Sequence, residues 1–169
     1  MNDMEKGKNF IRFIVSVGIC ELVGVLGALY TTPNIGTWYV FLAKPALTPP
    51  AWVFGPVWTI LYFLTGVALF LVWSSFAKAS EGREKGNTRT AIGIFVIQLI
   101  LNILWSIIFF GSQSSFPGFI AIVSLWLAVI ATIMAFGKIS RAAAWILVPY
   151  LFWVTFAGYL NFAIWLLNR

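Results

Sequence analysis

The segment AIGIFVIQLILNILWSIIFF, residues 91–110, decides the fold class because it runs for twenty residues without a charge. An α-helix rises about 1.5 Å per residue, so about 20 apolar residues cross the ~30 Å hydrocarbon core of a bilayer. Four further apolar segments of similar length lie at residues 10–30, 52–75, 119–136 and 142–167. The sequence therefore predicts an all-α integral membrane bundle of five transmembrane helices, with residues 1–169 forming a single domain.

The composition supports a membrane protein and narrows the possible chemistry. Hydrophobic residues make up 61% of the chain and charged residues 9%, whereas a soluble domain is about a quarter charged. The net charge of +6 comes from bases that flank the apolar segments, so the expected partner is the lipid bilayer and not a nucleic acid. The chain has no histidine and one cysteine, Cys20. An imidazole-ligated metal and an intrachain disulfide are therefore excluded, and no metal or required cofactor is expected.

The basic residues predict how the chain crosses the membrane. Nine of the eleven fall on one side of a five-span protein: Lys6, Lys8, Arg12, Lys78, Arg83, Lys85, Arg89, Lys138 and Arg141. Only Lys44 and Arg169 fall on the other side. The positive-inside rule then predicts a multi-pass protein of the cell membrane with a cytoplasmic N-terminus and an outer C-terminus. The connection 31–51 lies on the outer side, and its four prolines predict a stiff cap over the bundle.

Three helices carry polar and aromatic residues on one face, because the spacing of those residues follows the helical repeat. The three stripes are Trp58, Tyr62, Thr65 and Leu69; Gln98, Asn102, Trp105 and Phe109; and Tyr150, Trp153, Ala157 and Asn161. Counting ~1.5 Å per residue places five of these in the outer half of the bilayer: Trp58, Asn102, Trp105, Trp153 and Ala157. This level predicts an apolar pocket with a few polar groups beneath the cap. The alternative is that the amides and hydroxyls only hold neighbouring helices together.

Several residues keep two interpretations. Glu21 lies at mid-depth in the first span, where it forms either the floor of the pocket or a neutral acid bonded to a backbone carbonyl. Trp52 fits both the pocket and a membrane-interface anchor, and Trp145 lies at the flank of its stripe. The small pair Gly24 and Ala28 fits either dimerisation or internal packing.

The motif TPPAWVFGPVWT at residues 48–59, the Trp38-Tyr39 pair before it, and the stripes of the third and fifth spans resemble one family. This family is the translocator proteins, also called tryptophan-rich sensory proteins or peripheral-type benzodiazepine receptors. The resemblance, to a bacterial member, implies a homodimer that binds porphyrins such as protoporphyrin IX and haem. By motif position it implies ligand contacts at Trp58, Asn102, Trp105, Trp145, Trp153 and Ala157. With the residues reasoned above, the predicted ligand-binding set is Trp38, Tyr39, Trp52, Trp58, Tyr62, Gln98, Asn102, Trp105, Trp145, Tyr150, Trp153 and Ala157, with Glu21 as a pocket floor.

The family also binds cholesterol in eukaryotic members, but this chain departs from the sterol pattern. Phe162 follows Leu160-Asn161 where the pattern requires tyrosine, so sterol binding is not expected.

Three functions follow from the resemblance and the residues. The leading hypothesis is binding or sensing of a porphyrin, which would be a ligand and not a required cofactor. The chain offers no conventional acid–base or nucleophilic group, so an enzymatic role would be light-dependent porphyrin breakdown at Trp58 and Trp145, as the resemblance implies. Transport is the third hypothesis, supported by Glu21. It is weakened because the sequence predicts neither an inverted repeat nor a pair of broken helices.

Overall fold

The computed structural model describes residues 3–78 and 83–169, so the predicted basic connection around residues 78–85 lies partly outside the described residues. Within these ranges the chain is helical and contains no β-strand. Six α-helices are present: α1 (Asp3–Ile35), α2 (Ala51–Lys78), α3 (Arg83–Ser106), α4 (Ser115–Gly137), α5 (Arg141–Ile146) and α6 (Val148–Leu167). Together they provide five stretches long and apolar enough to cross a membrane, the fifth being α5 with α6. The predicted five-helix membrane bundle is confirmed.

The five spans form a closed ring around one core. The first span, α1, packs against α2 and α3, and α4 packs against α3 on one side and against α5 and α6 on the other. Contacts between α2 and α5 complete the ring. Large apolar side chains cover the outside of this bundle, including Ile14, Leu22, Ile100, Leu127 and Phe152. Because exposed apolar surface of this extent is stable only in lipid, the chain is a multi-pass membrane protein.

The first helix is longer than the predicted span 10–30, and it continues through Pro33 to Ile35. Proline lacks a backbone N–H and removes one hydrogen bond from a helix. The turn after it remains closed because the Thr37 hydroxyl donates to the Pro33 carbonyl at 2.8 Å and the Trp38 N–H donates to the Asn34 carbonyl at 3.1 Å. The connection to α2 therefore shrinks to residues 36–50. The end of the bundle that carries this connection is called the capped end below.

Two spans are irregular, although the sequence predicts no pair of broken helices. The third span closes in a π-helical turn at Ile107–Gly111, where the Ser112 N–H donates to the Ile107 carbonyl at 2.8 Å. The fifth span is interrupted at Leu147, between α5 and α6. Pro149 accounts for this break, because it cannot donate a hydrogen bond to the carbonyl four residues before it. Both irregularities lie within spans that the sequence predicts, and the sequence analysis anticipated neither of them.

Candidate functional site: a cavity between α1, α2 and α3

A cavity of about 230 Å³ lies between α1, α2 and α3. On α1 its lining residues run from Glu21 to Ile35, a length of ~21 Å at 1.5 Å per residue. The cavity therefore extends from mid-bundle to the capped end. Five of its lining residues are exposed at the surface of the bundle: Val25, Ala28, Thr32, Gly55 and Thr59. The cavity is thus open to the outside between α1 and α2.

An aromatic wall forms the α2 and α3 sides of the cavity. The rings of Trp58 and Tyr62 stack with centroids 5.5 Å apart, and the Trp58 and Trp105 indoles lie 5.7 Å apart with their planes 34° from parallel. Phe110 of the π-helical turn packs edge-on against Trp105 at 6.0 Å and also lines the cavity. Both Phe109 and Phe110 of this turn are buried. Two spans therefore present a continuous aromatic surface to the cavity.

The opposite wall is the backbone of α1 at its small residues. A Cβ atom on Gly24 would lie 2.5 Å from the Tyr62 ring, and a Cβ atom on Gly27 would lie 3.1 Å from the Ser106 hydroxyl oxygen. Ala28 continues this face toward the capped end. Of the two interpretations of the Gly24 and Ala28 pair, Gly24 is used for internal packing. These small residues let α1 pack closely against Tyr62 and Ser106 beside the cavity.

Behind the aromatic wall, a network of buried polar groups joins four side chains from three spans. The Tyr62 hydroxyl donates to the Asn102 side-chain oxygen. The Tyr150 hydroxyl accepts from the Asn102 amide at 2.7 Å and from the Gln98 amide at 2.8 Å. Gln98, Asn102 and Tyr150 are almost fully buried and none of them lines the cavity. Nearer the capped end of the same core, Trp105 donates to Asn161 at 3.2 Å, and Ala157 is buried beside them.

The connection 36–50 closes the capped end above the cavity. Tyr39 is buried there against Phe54 and Phe110, both of which line the cavity, and Trp38 packs edge-on against Phe109 at 5.4 Å. Burial raises the pKa of Tyr39 from 10.0 to about 12, so its hydroxyl stays neutral at physiological pH. The Lys44 ammonium lies 5.0 Å from the centre of the Tyr39 ring.

The connection 36–50 is also attached to the end of α6. The Asn168 side chain there accepts from the Ala43 N–H at 3.0 Å and donates to the Ala43 carbonyl at 2.9 Å.

The sequence of the whole bundle matches known proteins. A sequence profile of the TspO/MBR family matches residues 16–166. The chain belongs to the TspO/MBR family. It is 41% identical over 161 residues to the Tryptophan-rich protein TspO of Chlorobaculum tepidum, a match that covers 95% of this chain and 98% of the relative. It is 34% identical over 149 residues to the Translocator protein of Bos taurus, covering 88% and 85% of the two chains. The predicted resemblance is confirmed.

In this TspO/MBR family member, the predicted site residues fall into distinct groups. The three stripes face inward as predicted, because their members are buried or half-buried. Only four predicted residues line the cavity: Glu21, Trp58, Tyr62 and Trp105. Trp153 packs on Phe54 at 5.9 Å, and its buried indole N–H has no hydrogen-bond partner in the described part of the chain.

Two of the four predicted tryptophans that do not line the cavity are exposed. Trp52 is 74% exposed at the start of α2, and Trp145 is 73% exposed on α5. Of the two roles considered for Trp52, its position favours the interface anchor. The structure does not bring Trp58 and Trp145 together, since only Trp58 lines the cavity.

The sequence analysis missed most of the α1 wall, together with Phe54, Ser106 and Phe110. The signal was present in α1 as small residues at helical spacing, but small residues alone do not distinguish a cavity wall from a helix contact. Among the described residues, no group of three or more His, Cys, Asp or Glu side chains could hold a metal. The lining residues therefore offer aromatic rings for stacking, one carboxyl group, and a few hydroxyl and indole groups for hydrogen bonding.

Proposed function

We propose that this TspO/MBR family member binds a porphyrin, such as protoporphyrin IX or haem, in the cavity between α1, α2 and α3, and that it serves as a receptor or sensor for such ligands. The observation that carries the proposal is the pair formed by Trp58 and Trp105, which borders the cavity. A flat macrocycle gains free energy by stacking on aromatic rings, about 0.5–1.5 kcal/mol per contact beyond the burial of surface. In this proposal the cavity-lining residues of α1, from Glu21 to Ile35, border the other face of the ligand.

The size of the cavity determines how a porphyrin would enter it. Its 230 Å³ is slightly below the roughly 300–1,000 Å³ of pockets that hold drug-sized ligands. The cavity is open between α1 and α2, where Ala28 and Thr59 are exposed. In this proposal the macrocycle enters edge-first through that opening, and its outer edge stays in the groove between the two helices.

A titration with protoporphyrin IX in lipid nanodiscs tests the proposal, with the porphyrin's own absorbance as the signal and protein-free nanodiscs as the blank. Trp58→Leu removes a cavity-lining indole, and we expect the affinity to fall about tenfold. Trp73→Leu is the matched control, since Trp73 belongs to the same helix and does not line the cavity. Equal affinities for the two variants would contradict the proposed site.

The orientation in the membrane is part of the same proposal. With nine basic residues at the end opposite the cap, the positive-inside rule places the cap and the C-terminus outside the cytoplasm. A fluorescent protein that matures only in the cytoplasm, fused after Arg169, should stay dark. The homodimer implied by the resemblance stays a prediction, which the mass of the purified protein in nanodiscs tests.

A further inference from the structure

Glu21 is an ionisable side chain at the deep end of the cavity. It lies on α1 fourteen residues before Ile35, ~21 Å from the capped end, and it lines the cavity. In residues 3–78 and 83–169 its carboxyl group has no hydrogen bond and no ion pair. A carboxyl group within a membrane span costs several kcal/mol when it has no partner, and such a group generally has a functional partner.

Two threonine hydroxyls of the cavity lining act as acceptors toward the cavity. The Thr31 hydroxyl donates its hydrogen to the Gly27 carbonyl at 3.1 Å, and the Thr59 hydroxyl donates to the Gly55 carbonyl at 3.1 Å. Each hydroxyl therefore presents only lone pairs to the cavity. No described residue that lines the cavity is a lysine or an arginine. Among the described lining residues, a ligand therefore meets one carboxyl group and no cation that could balance an anionic ligand.

From this arrangement we propose that Glu21 is a specificity-determining residue, which selects flat hydrophobic ligands that carry a protonated amine or another hydrogen-bond donor at their inner edge. The ligand's ammonium group would bind the Glu21 carboxylate while its rings stack on Trp58 and Trp105. Charge-assisted hydrogen bonds are about twice as strong as neutral ones, and the surrounding apolar walls strengthen them further. The inference uses the cavity of the proposed function and adds a charge preference to it.

A cavity that holds a carboxyl group and no cation also limits how an anionic porphyrin is oriented. In this proposal the two propionates of protoporphyrin IX lie away from the Glu21 carboxylate, because like charges repel. Esterifying both propionates removes their charge. We therefore expect protoporphyrin IX dimethyl ester to bind at least as tightly as the free diacid.

Three anthracenes of the same ring size test the proposal directly: 9-(aminomethyl)anthracene, 9-methylanthracene and anthracene-9-carboxylate. Each is titrated into phosphatidylcholine nanodiscs that contain the full-length protein, with protein-free nanodiscs as the blank. We expect the ammonium probe to bind at least about tenfold more tightly than the methyl probe, and the carboxylate probe to bind most weakly. In Glu21→Gln the preference for the ammonium probe should disappear, while the affinity for the methyl probe stays within about twofold.

Glu5→Gln is the matched control, because Glu5 is an exposed acid of the same helix that does not line the cavity. This variant should keep the wild-type preference. A wild-type protein without an ammonium preference, or a preference that survives in Glu21→Gln, overturns the proposal. Unchanged methyl-probe affinity shows that the Glu21→Gln variant is folded.

The outcomes also separate this proposal from the porphyrin proposal. If probe binding depends on Glu21 but protoporphyrin IX does not bind, the porphyrin proposal fails and the role of Glu21 stands. If protoporphyrin IX binds and the three probes bind equally, only the role of Glu21 fails.

Discussion

The two sides of Tyr62 show how the same bundle builds a framework and a cavity from similar residues. On the side of α3 and α6, the Tyr62 hydroxyl joins Asn102 and Tyr150 in a buried hydrogen-bonded network. On the side of α1, the Tyr62 ring faces Gly24 and an open cavity. The polar groups of the network are largely paired, whereas Glu21 in the cavity is not. We infer that the hydrogen-bonded network holds the aromatic wall in place, whereas the side of the wall that borders the cavity has space for a ligand.

The largest effect on stability should come from breaking the network at its centre. Asn102→Leu removes the acceptor of the Tyr62 hydroxyl and one of the two donors to Tyr150. We expect the free energy of unfolding to fall by about 2–3 kcal/mol, because a buried hydroxyl is left without a partner. Unfolding by sodium dodecyl sulfate in mixed micelles measures it.

Gln98→Leu is the comparison for that variant. The Gln98 amide makes a single bond to the network, and its side-chain oxygen has no partner in the described chain. Gln98→Leu should therefore lower the free energy of unfolding by less than Asn102→Leu does. If Gln98→Leu proves more destabilising than Asn102→Leu, the network is not centred on Asn102.

The second effect concerns the contact between α1 and the aromatic wall. Gly24→Ala would place a Cβ atom 2.5 Å from Tyr62, and the ring is held on its other side by Trp58. We expect a loss of about 1–2 kcal/mol in unfolding free energy from overpacking, together with weaker porphyrin binding. Gly18→Ala on the same helix meets no atom within 4 Å and should stabilise the helix by up to about 1 kcal/mol. Changes of the same sign in both variants would refute the assigned contact.

A smaller effect should appear at the cap. Asn168→Ala removes both hydrogen bonds to Ala43, which hold the connection 36–50 against the end of α6. Because the cap covers the cavity, we expect protoporphyrin IX to dissociate about threefold faster, with little change in unfolding free energy. Stopped-flow dilution measures the rate. Arg169→Ala, at the adjacent exposed position, should leave the rate unchanged, and an equal acceleration in both variants would argue against this role of Asn168.

The smallest effect should come from the exposed tryptophan of α5. Trp145 is 73% exposed and does not line the cavity, so Trp145→Phe should change porphyrin affinity by less than about twofold. Illumination of the bound porphyrin tests the enzymatic alternative in the same samples. A loss of binding as large as that of Trp58→Leu would mean that Trp145 belongs to the site and that the separation of the two tryptophans is wrong.

The spans and the inward faces of three helices could be predicted from the sequence. Which inward-facing residues form the hydrogen-bonded network and which line the cavity could not. Uncharged runs such as residues 91–110 predict a membrane-spanning helix, because lipid excludes charge. Helical spacing correctly grouped Asn102 with Trp105 on one face. It gives the direction of a side chain and not its partner, so it could not show that Asn102 reaches the tyrosines while Trp105 borders the cavity.

The α1 wall and the irregular turns lay beyond sequence reasoning for a different reason. Gly24 and Gly27 are needed because α2 and α3 place Tyr62 and Ser106 directly against them, which no feature of α1 reveals. The π-helical turn at Ile107–Gly111 likewise depends on how its aromatic residues pack against other spans. Both features arise from contacts between helices distant in the sequence.

The most direct test of the central claim is to fill the cavity without changing the network. Ala28→Phe adds a ring on the α1 wall, whereas Leu29→Phe adds one at the next residue, which is exposed and does not line the cavity. Protoporphyrin IX affinity in nanodiscs should fall at least about tenfold for Ala28→Phe and stay near the wild-type value for Leu29→Phe. Unchanged binding by Ala28→Phe would contradict the account, because the ligand would then bind elsewhere in the bundle.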